Sequence, residues 1–292
     1  MRSVDAVIAV AGWEDRFQLG LQRDLESRLP SELLIITFEE YSGITLAGRE
    51  RVSRIADDLG ISRREVIVNR DRRVLFGKLQ ETFALPEWSG RSVLVDISTM
   101  PREVIWWICS ALKSVQSELE YVYHRPQTYP SDWITRDTDS PRLVYQHSGV
   151  SAFGKETALL LLSGFDLGRA LQLIQFFEPK LISIGLQAGA QFDNSTRNVE
   201  PTRRELAQIP NAEFFELDSF APDRGYSVLS DTVQKLCSGY NLVAASLGPK
   251  PSAISLYQAH RAHPEMALAY APSRQLNLQY SSGIGTALEG SI

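Results

Sequence analysis

Two tandem Rossmann-like α/β halves with mostly parallel sheets, related by internal duplication, are the fold this sequence predicts. Three observations lead there. Apolar runs of strand length alternate with amphipathic runs of helix length along the whole chain, which is the pattern of parallel sheets covered by helices. The order of those elements recurs in the second half. The length of 292 residues suits two domains of ordinary size.

Taken in order, AVIAVAGW opens the first half as a strand. Asp5 at its start and the lack of a small-residue cleavage site argue against a signal peptide. FQLGLQRDLESRL carries helical periodicity, and ELLIITF reads as the next strand. Arg49–Leu59 reads as helix, Glu65–Asn69 as strand and Val74–Phe83 as helix. SVLVDISTMPREVIWWICSAL supplies a strand, a loop and an apolar helix whose Trp106 and Trp107 suit a core, and LEYVYHRP a fifth strand. The polar stretch 131–155, with a short strand candidate at LVYQH, reads as a connector. The expected domains are therefore 1–130, a connector 131–155, and 156–292. The second half runs ALLLLSGFDLGR, ALQLIQFF and KLISIGL. Helix Pro201–Gln208, strand Glu213–Leu217, helix Val228–Leu236, YNLVAASLGPKPSAISLYQAH and MALAYAP follow. The Gly- and Ser-rich segment Tyr280–Ile292 either folds over a site or frays.

The duplication rests on landmarks that recur in one order. Gly12-Trp13-Glu14 matches Gly164-Phe165-Asp166 at an offset of 152, and Arg16 matches Arg169 at 153. Ser98, Pro101 and Arg102 match Ser246, Pro249 and Lys250 at 148, and Tyr123 matches Tyr270 at 147. This alignment sets Asp96 opposite Ala244.

Composition excludes several classes. A net charge of −5, with 43% hydrophobic and 22% charged residues, does not fit a disordered chain, a collagen, a coiled coil or a strongly basic nucleic-acid coat. Cys109 and Cys237 lie in apolar stretches and read as buried reduced thiols of a cytoplasmic protein. No apolar run reaches the ~18 residues a membrane span requires. The chain has 24 Arg against 6 Lys. Arg suits bidentate binding of phosphate or carboxylate, although genomic base composition is the plainer explanation of the bias.

Ligands of open α/β sheets bind at the carboxyl ends of the strands, where helix N-termini attract anions. Both repeated loops fall there. In the first, Gly12 and Gly164 permit tight backbone, Trp13 and Phe165 could stack on a base, and Arg16 and Arg169 could meet a phosphate. The alternative is that the aromatics plug the sheet and the Arg residues pair with neighbouring acids. In the second, Asp96, Ser98, Thr99 and Arg102, with Ser246, Gly248 and Lys250, could form a phosphate cradle. The alternative is simple helix capping with a solvated cation. Neither loop is a Walker A or GxGxxG motif, so no cofactor is expected.

Asp96-Ile97-Ser98-Thr99-Met100-Pro101-Arg102 resembles the Asp-hydrophobic-Thr-Gly-Gly-Thr-Lys loop of CARF domains, and Ser246-Leu247-Gly248-Pro249-Lys250 is similar in its Ser-x-Gly-x-Lys core. The first copy lacks the double Gly and the second keeps half of it. The resemblance covers about 20 residues in each half. It implies a pair of half-sites that sense a nucleotide second messenger across a two-fold and control a separate effector, in prokaryotic antiviral defence.

Other chemistry has less support. Ile55–Val66 is similar to a helix-turn-helix core, with Gly60 at the turn and Ser62 as cap, inside a stretch Arg49–Arg73 of net charge +3. Val66-Ile67-Val68-Asn69 prefers strand, so helix, Gly stop, strand is the alternative and direct DNA binding is not expected. His260 and His263 are spaced to share a metal, but no acidic or Cys ligand is adjacent and no metal site is expected. No GxSxG motif or Cys/His pair marks a nucleophile, and no catalytic residue is assigned. Asp96 could act as a base or bind a ribose hydroxyl. The sequence thus points to a binding module for a phosphate-bearing, nucleotide-like ligand lying between the halves, with a partner effector and room for homo-oligomers. A phosphodiesterase-type enzyme and a subunit with a degenerate site are the alternatives.

Overall fold

The computed structural model describes residues 3–84, 86–115, 117–129, 133, 135–189, 194–279 and 281–292. The chain divides into two compact units, Met1–Pro130 with Leu278–Ile292, and Ser131–Asn277. Each has the same architecture.

In the first unit, β1 (Ala6–Val10), β2 (Glu32–Phe38), β3 (Ser62–Val68), β4 (Ser92–Asp96) and β5 (Glu118–His124) form a parallel sheet in the order β3-β2-β1-β4-β5. Helices α1 (Asp15–Arg28), α2 (Ser42–Asp58), α3 (Arg72–Phe83) and α4 (Arg102–Ser114) connect them. The central strand AVIAV is wholly buried, as expected of a strand with helices on both faces. One face packs Phe17, Leu21 and Leu25 of α1 and Val52 and Ala56 of α2. An aromatic cluster of Phe76, Phe83, Trp88 and Trp107 fills out the α3 and α4 side, and Trp106 is fully buried.

In the second unit, β8 (Thr157–Leu162), β9 (Leu181–Gln187), β10 (Ala212–Leu217), β11 (Asn241–Ser246) and β12 (Ala267–Tyr270) repeat that order as β10-β9-β8-β11-β12. Their helices are α5 (Leu167–Phe177), α6 (Glu200–Leu206), α7 (Tyr226–Gly239) and α8 (Pro251–Ala262). Two sheets of identical strand order are the structural counterpart of the sequence repeat.

The edges were not legible beforehand. Within the connector, β6 (Thr135–Thr138) pairs antiparallel with β13 (Ser273–Leu276). β7 (Arg142–Leu143) adds an antiparallel edge to β12, a much shorter strand than LVYQH suggested. The connector is therefore part of the second unit. The tail does not belong with the second half: β14 (Ala287–Ser291) pairs antiparallel with β5 in the first sheet. The expected domain 156–292 is corrected accordingly, because β5 presents an open edge that the tail satisfies.

The helix-turn-helix reading fails on the same grounds. Gly60, at φ +70°, ends α2, and the residues of the supposed recognition helix lie in β3, hydrogen-bonded along β2. Helix α2 also begins seven residues earlier than expected, at Ser42.

Candidate functional site

Reversal of the strand order places the carboxyl ends of β1 and β4 side by side, and likewise those of β8 and β11. This is the switch point at which open α/β sheets hold ligands. Both predicted loops of each repeat lie there, and each pair is in contact. A Cβ on Gly12 would come within 2.7 Å of Thr99 Cγ2. A Cβ on Gly164 would come within 1.9 Å of the Leu247 carbonyl oxygen, and one on Gly248 within 2.8 Å of that of Ser163. Glycine lets the loops meet closely, backbone against backbone at Gly164 and Gly248 and against the Thr99 side chain at Gly12.

In the first loop the polar side chains bind one another. Arg16, 1% exposed, donates from Nε to Glu14 Oε2 at 2.8 Å and from a terminal nitrogen to the Tyr123 hydroxyl at 3.4 Å. Ser281 Oγ also donates to Glu14, and Gly283 N–H donates to Asp15 at 3.0 Å. The tail therefore folds over this loop; Tyr280 lies outside the described residues. Trp13 is half-buried, its ring 5.3 Å from that of Tyr41. The second unit repeats the device. Asp166 caps α5 by accepting from Arg169 N–H at 3.1 Å and pairs with Arg169 Nε at 3.0 Å, while Thr135 donates to the same carboxylate. Arg169 also donates to the Ala271 carbonyl, and the Arg197 guanidinium lies 4.6 Å from the Phe165 ring centre. Of the two readings for these loops, the geometry matches the pairing of Arg with neighbouring acids.

The second loop is tied into the sheet. Thr99 Oγ1 donates to the Val10 carbonyl at 2.6 Å, Ser98 N–H donates to Asp96 Oδ1 at 2.8 Å, and Ser98 Oγ accepts from His124 N–H at 2.8 Å. Arg102 opens α4 and is buried. In the second unit Ser246 Oγ lies 2.7 Å from Ser252 Oγ, and buried Gly248 and half-buried Lys250 precede α8, whose first residue is Pro251. Ser98, Thr99, Ser246 and the glycines thus shape the loops, and the half-buried Thr99 and Lys250 lie nearest solvent.

Beneath the first switch point sits a cluster that sequence reading did not assemble. Asp24 on α1, Asp96 at the end of β4 and His124 at the end of β5 offer donor atoms all within 4.8 Å of one another. They are 4%, 1% and 0% exposed. His124 Nε2 lies 2.9 Å from Asp24 Oδ2. Burial raises the Asp24 carboxyl to about 6, helped by the nearby Asp96 and opposed by the bond to His124. Burial pulls His124 down, but the bond to Asp24 and the charges of Asp96 and Asp24 outweigh it, so the imidazole stays protonated above its ordinary range. The available signal was Gly20, one helical turn before Asp24: a Cβ there would fall 2.5 Å from the His124 ring.

The remaining histidines divide differently than their spacing suggested. His260 turns inward, with Nε2 3.0 Å from His147 Nδ1 and Nδ1 2.9 Å from the Met266 carbonyl oxygen. His263 instead lies beside Glu265 and Cys237, so an acid and a thiol do stand near it. Both cysteines are reduced; burial pushes Cys109 up to about 12 and Cys237 to about 11, which leaves neither a ready nucleophile. A groove of about 840 Å³ runs between α2 and β3, away from the switch point. Its Arg49, Arg63 and Arg64 pair with Glu65, Asp57 and Glu87.

No family model and no curated protein matches the chain. Among solved structures, a type III CRISPR defence DNA nuclease activated by cyclic oligoadenylate is similar over 87% of this chain, with a TM-score of 0.59 at 10% identity. What is shared is the fold. The chain spans 63% of that nuclease's length. UDP-GlcNAc 2-epimerase from Neisseria meningitidis, bound to UDP-GlcNAc, aligns over 84% of this chain and 77% of its own at 10% identity. Its TM-score of 0.24 carries no argument. Among the described residues no helix is long and apolar enough to cross a membrane.

Proposed function

We infer that this chain is a sensing module that takes a phosphate-bearing, nucleotide-like ligand at the carboxyl ends of its parallel strands and signals to a separate effector in antiviral defence. The observation that carries this reading is the close approach of two loops at the switch point of each sheet, with glycine at the contact in Gly12, Gly164 and Gly248. There helices α4 and α8 present their N-termini behind Arg102 and Lys250. The fold similarity to a nuclease whose description names cyclic oligoadenylate as its activator points to the ligand class, and so does the loop resemblance to CARF domains. Burial of the Asp24–Asp96–His124 cluster argues against an enzyme built on those groups, since a catalytic residue must touch its substrate.

Thermal-shift measurements with cyclic oligoadenylates, linear oligoadenylates and mononucleotides test the proposal. A ligand at 100 times its Kd raises stability by about 2.7 kcal/mol, and Lys250→Ala is expected to weaken that shift. No shift with any of these ligands would remove the sensor reading, and turnover of a stabilising ligand would replace it with an enzyme.

A further inference from the structure

The geometry points to a divalent metal site in the first unit, formed by Asp24, Asp96 and His124 and suited to a first-row ion such as Mn²⁺. This inference does not depend on the nucleotide reading. Two carboxyls and an imidazole converge from α1, β4 and β5 with donor atoms within 4.8 Å of one another, and all three are more than nine-tenths buried. Two acids are interred with a single imidazole, which can balance only one of them. Asp96 Oδ2 is the atom left over. It is buried and has no hydrogen-bond partner among the described residues, although Oδ1 of the same carboxyl is satisfied by Ser98 N–H.

The ion would displace the proton that His124 Nε2 and Asp24 Oδ2 share across 2.9 Å, and the spacing permits it, since adjacent ligands of an octahedral ion bound at about 2.0–2.1 Å stand about 2.8–3.0 Å apart. Carboxylates suit Mn²⁺ and Mg²⁺ while imidazole favours transition metals, so a mixed set of two carboxylates and one imidazole selects Mn²⁺ over Mg²⁺. The supporting structure is built to hold the ring. Gly20 leaves the space that the His124 ring fills, and Ser98 Oγ accepts from His124 N–H. A second group, Cys237, His263 and Glu265, is a competing candidate on the second unit, but its Glu265 side chain is about half exposed.

The test uses the full-length chain, stripped with chelator and then dialysed against Mn²⁺. One Mn²⁺ per chain is expected, with a nitrogen hyperfine coupling from one imidazole in pulsed electron paramagnetic resonance. Asp96→Asn should weaken binding beyond the roughly 10–100-fold that outer-shell changes cost. Cys237→Ser with His263→Ala should leave it unaltered. Failure of the wild-type chain to bind Mn²⁺ overturns the inference, as does retention of the ion in folded Asp96→Asn. The nitrogen coupling is read on the wild-type protein, so its absence overturns the assignment even if the variants fail to fold.

Discussion

The two units solve one packing problem in opposite ways. In the first, Gly20 on α1 vacates space, the His124 ring enters it, and Asp24 receives the ring nitrogen. In the second, the offset that relates Arg16 to Arg169 carries Gly20 to Leu173 and Asp24 to Phe177, while His124 corresponds to Ala271. Leu173 and Ala271 are both buried in one apolar cluster, with Phe177 against it. The volume that one unit gives to an imidazole, the other gives to a leucine. Sheet register completes the exchange. Asp96 stands opposite Ala9 of β1, and the residue matching Ala9, Leu161, stands opposite Ala245 of β11. The alignment with Ala244 was one residue out of step, which in a strand means the wrong face. Duplicated folds can thus keep their strand order and loop glycines while exchanging a polar interior for an apolar one.

The largest effect is expected from removing the second unit's filler. Leu173→Gly should cost about 3–6 kcal/mol, from cavity formation plus glycine in a helix, seen as accelerated hydrogen exchange in β8, β9 and α5. The reciprocal change tests the exchange directly. Gly20→Leu should destabilise the first unit by about 1–3 kcal/mol or more, and adding His124→Ala should recover part of the loss. Additive costs in that cycle would break the comparison.

Next come the loop glycines. In Gly164→Ala the new Cβ meets a backbone carbonyl, which cannot rotate away; in Gly12→Ala it meets the Thr99 side chain. Denaturation should show Gly164→Ala costing more, by about 1–2 kcal/mol within the range for overpacking. Equal costs would mean that the two switch points are equally tight.

A pH effect belongs to the second unit. Burial holds His260 below its ordinary value of 6.5. Its contribution to stability is therefore whole above 6.5 and is lost as pH falls through the folded value. Protection factors of the amides around α8, corrected for the intrinsic pH dependence of exchange, should fall between about pH 7 and pH 5, and His260→Gln should flatten that trend.

The smallest effects lie on the surface, where no contrast is expected. Arg63 pairs with Asp57 in the first unit and Arg203 with Glu216 in the second, at 2.9 and 3.0 Å and largely exposed. Either Arg→Ala change should stay within about 0.5–1 kcal/mol in a urea titration. A larger change on one side alone would carry the asymmetry beyond the interior.

Much of the fold was legible because strands buried on both faces are written as continuous apolar runs, such as AVIAV and LLLL. The antiparallel edges were not. β6, β7, β13 and β14 are short and largely polar, and their partners lie far away in sequence. IADDLGIS shows a different limit. Its helix and glycine stop were readable, but only pairing with β2 decided that a strand follows. At the site, glycine and proline marked the loops. The charges assigned to a phosphate proved to be paired at Arg16 and Arg169. Asp24 and His124 escaped notice because a lone acid on an amphipathic helix and a histidine ending a strand look ordinary until the sheet brings them together.

The crossing of the tail has a consequence for synthesis. Residues 278–292 follow the whole second unit along the chain yet complete the edge of the first sheet. Domains generally fold as units while the ribosome works. Here the first unit must wait with β5 unpaired on one side until the second has been made. The half begun earlier is the half finished later, and a nascent chain arrested after residue 277 would carry a closed second unit beside a first unit with an open flank.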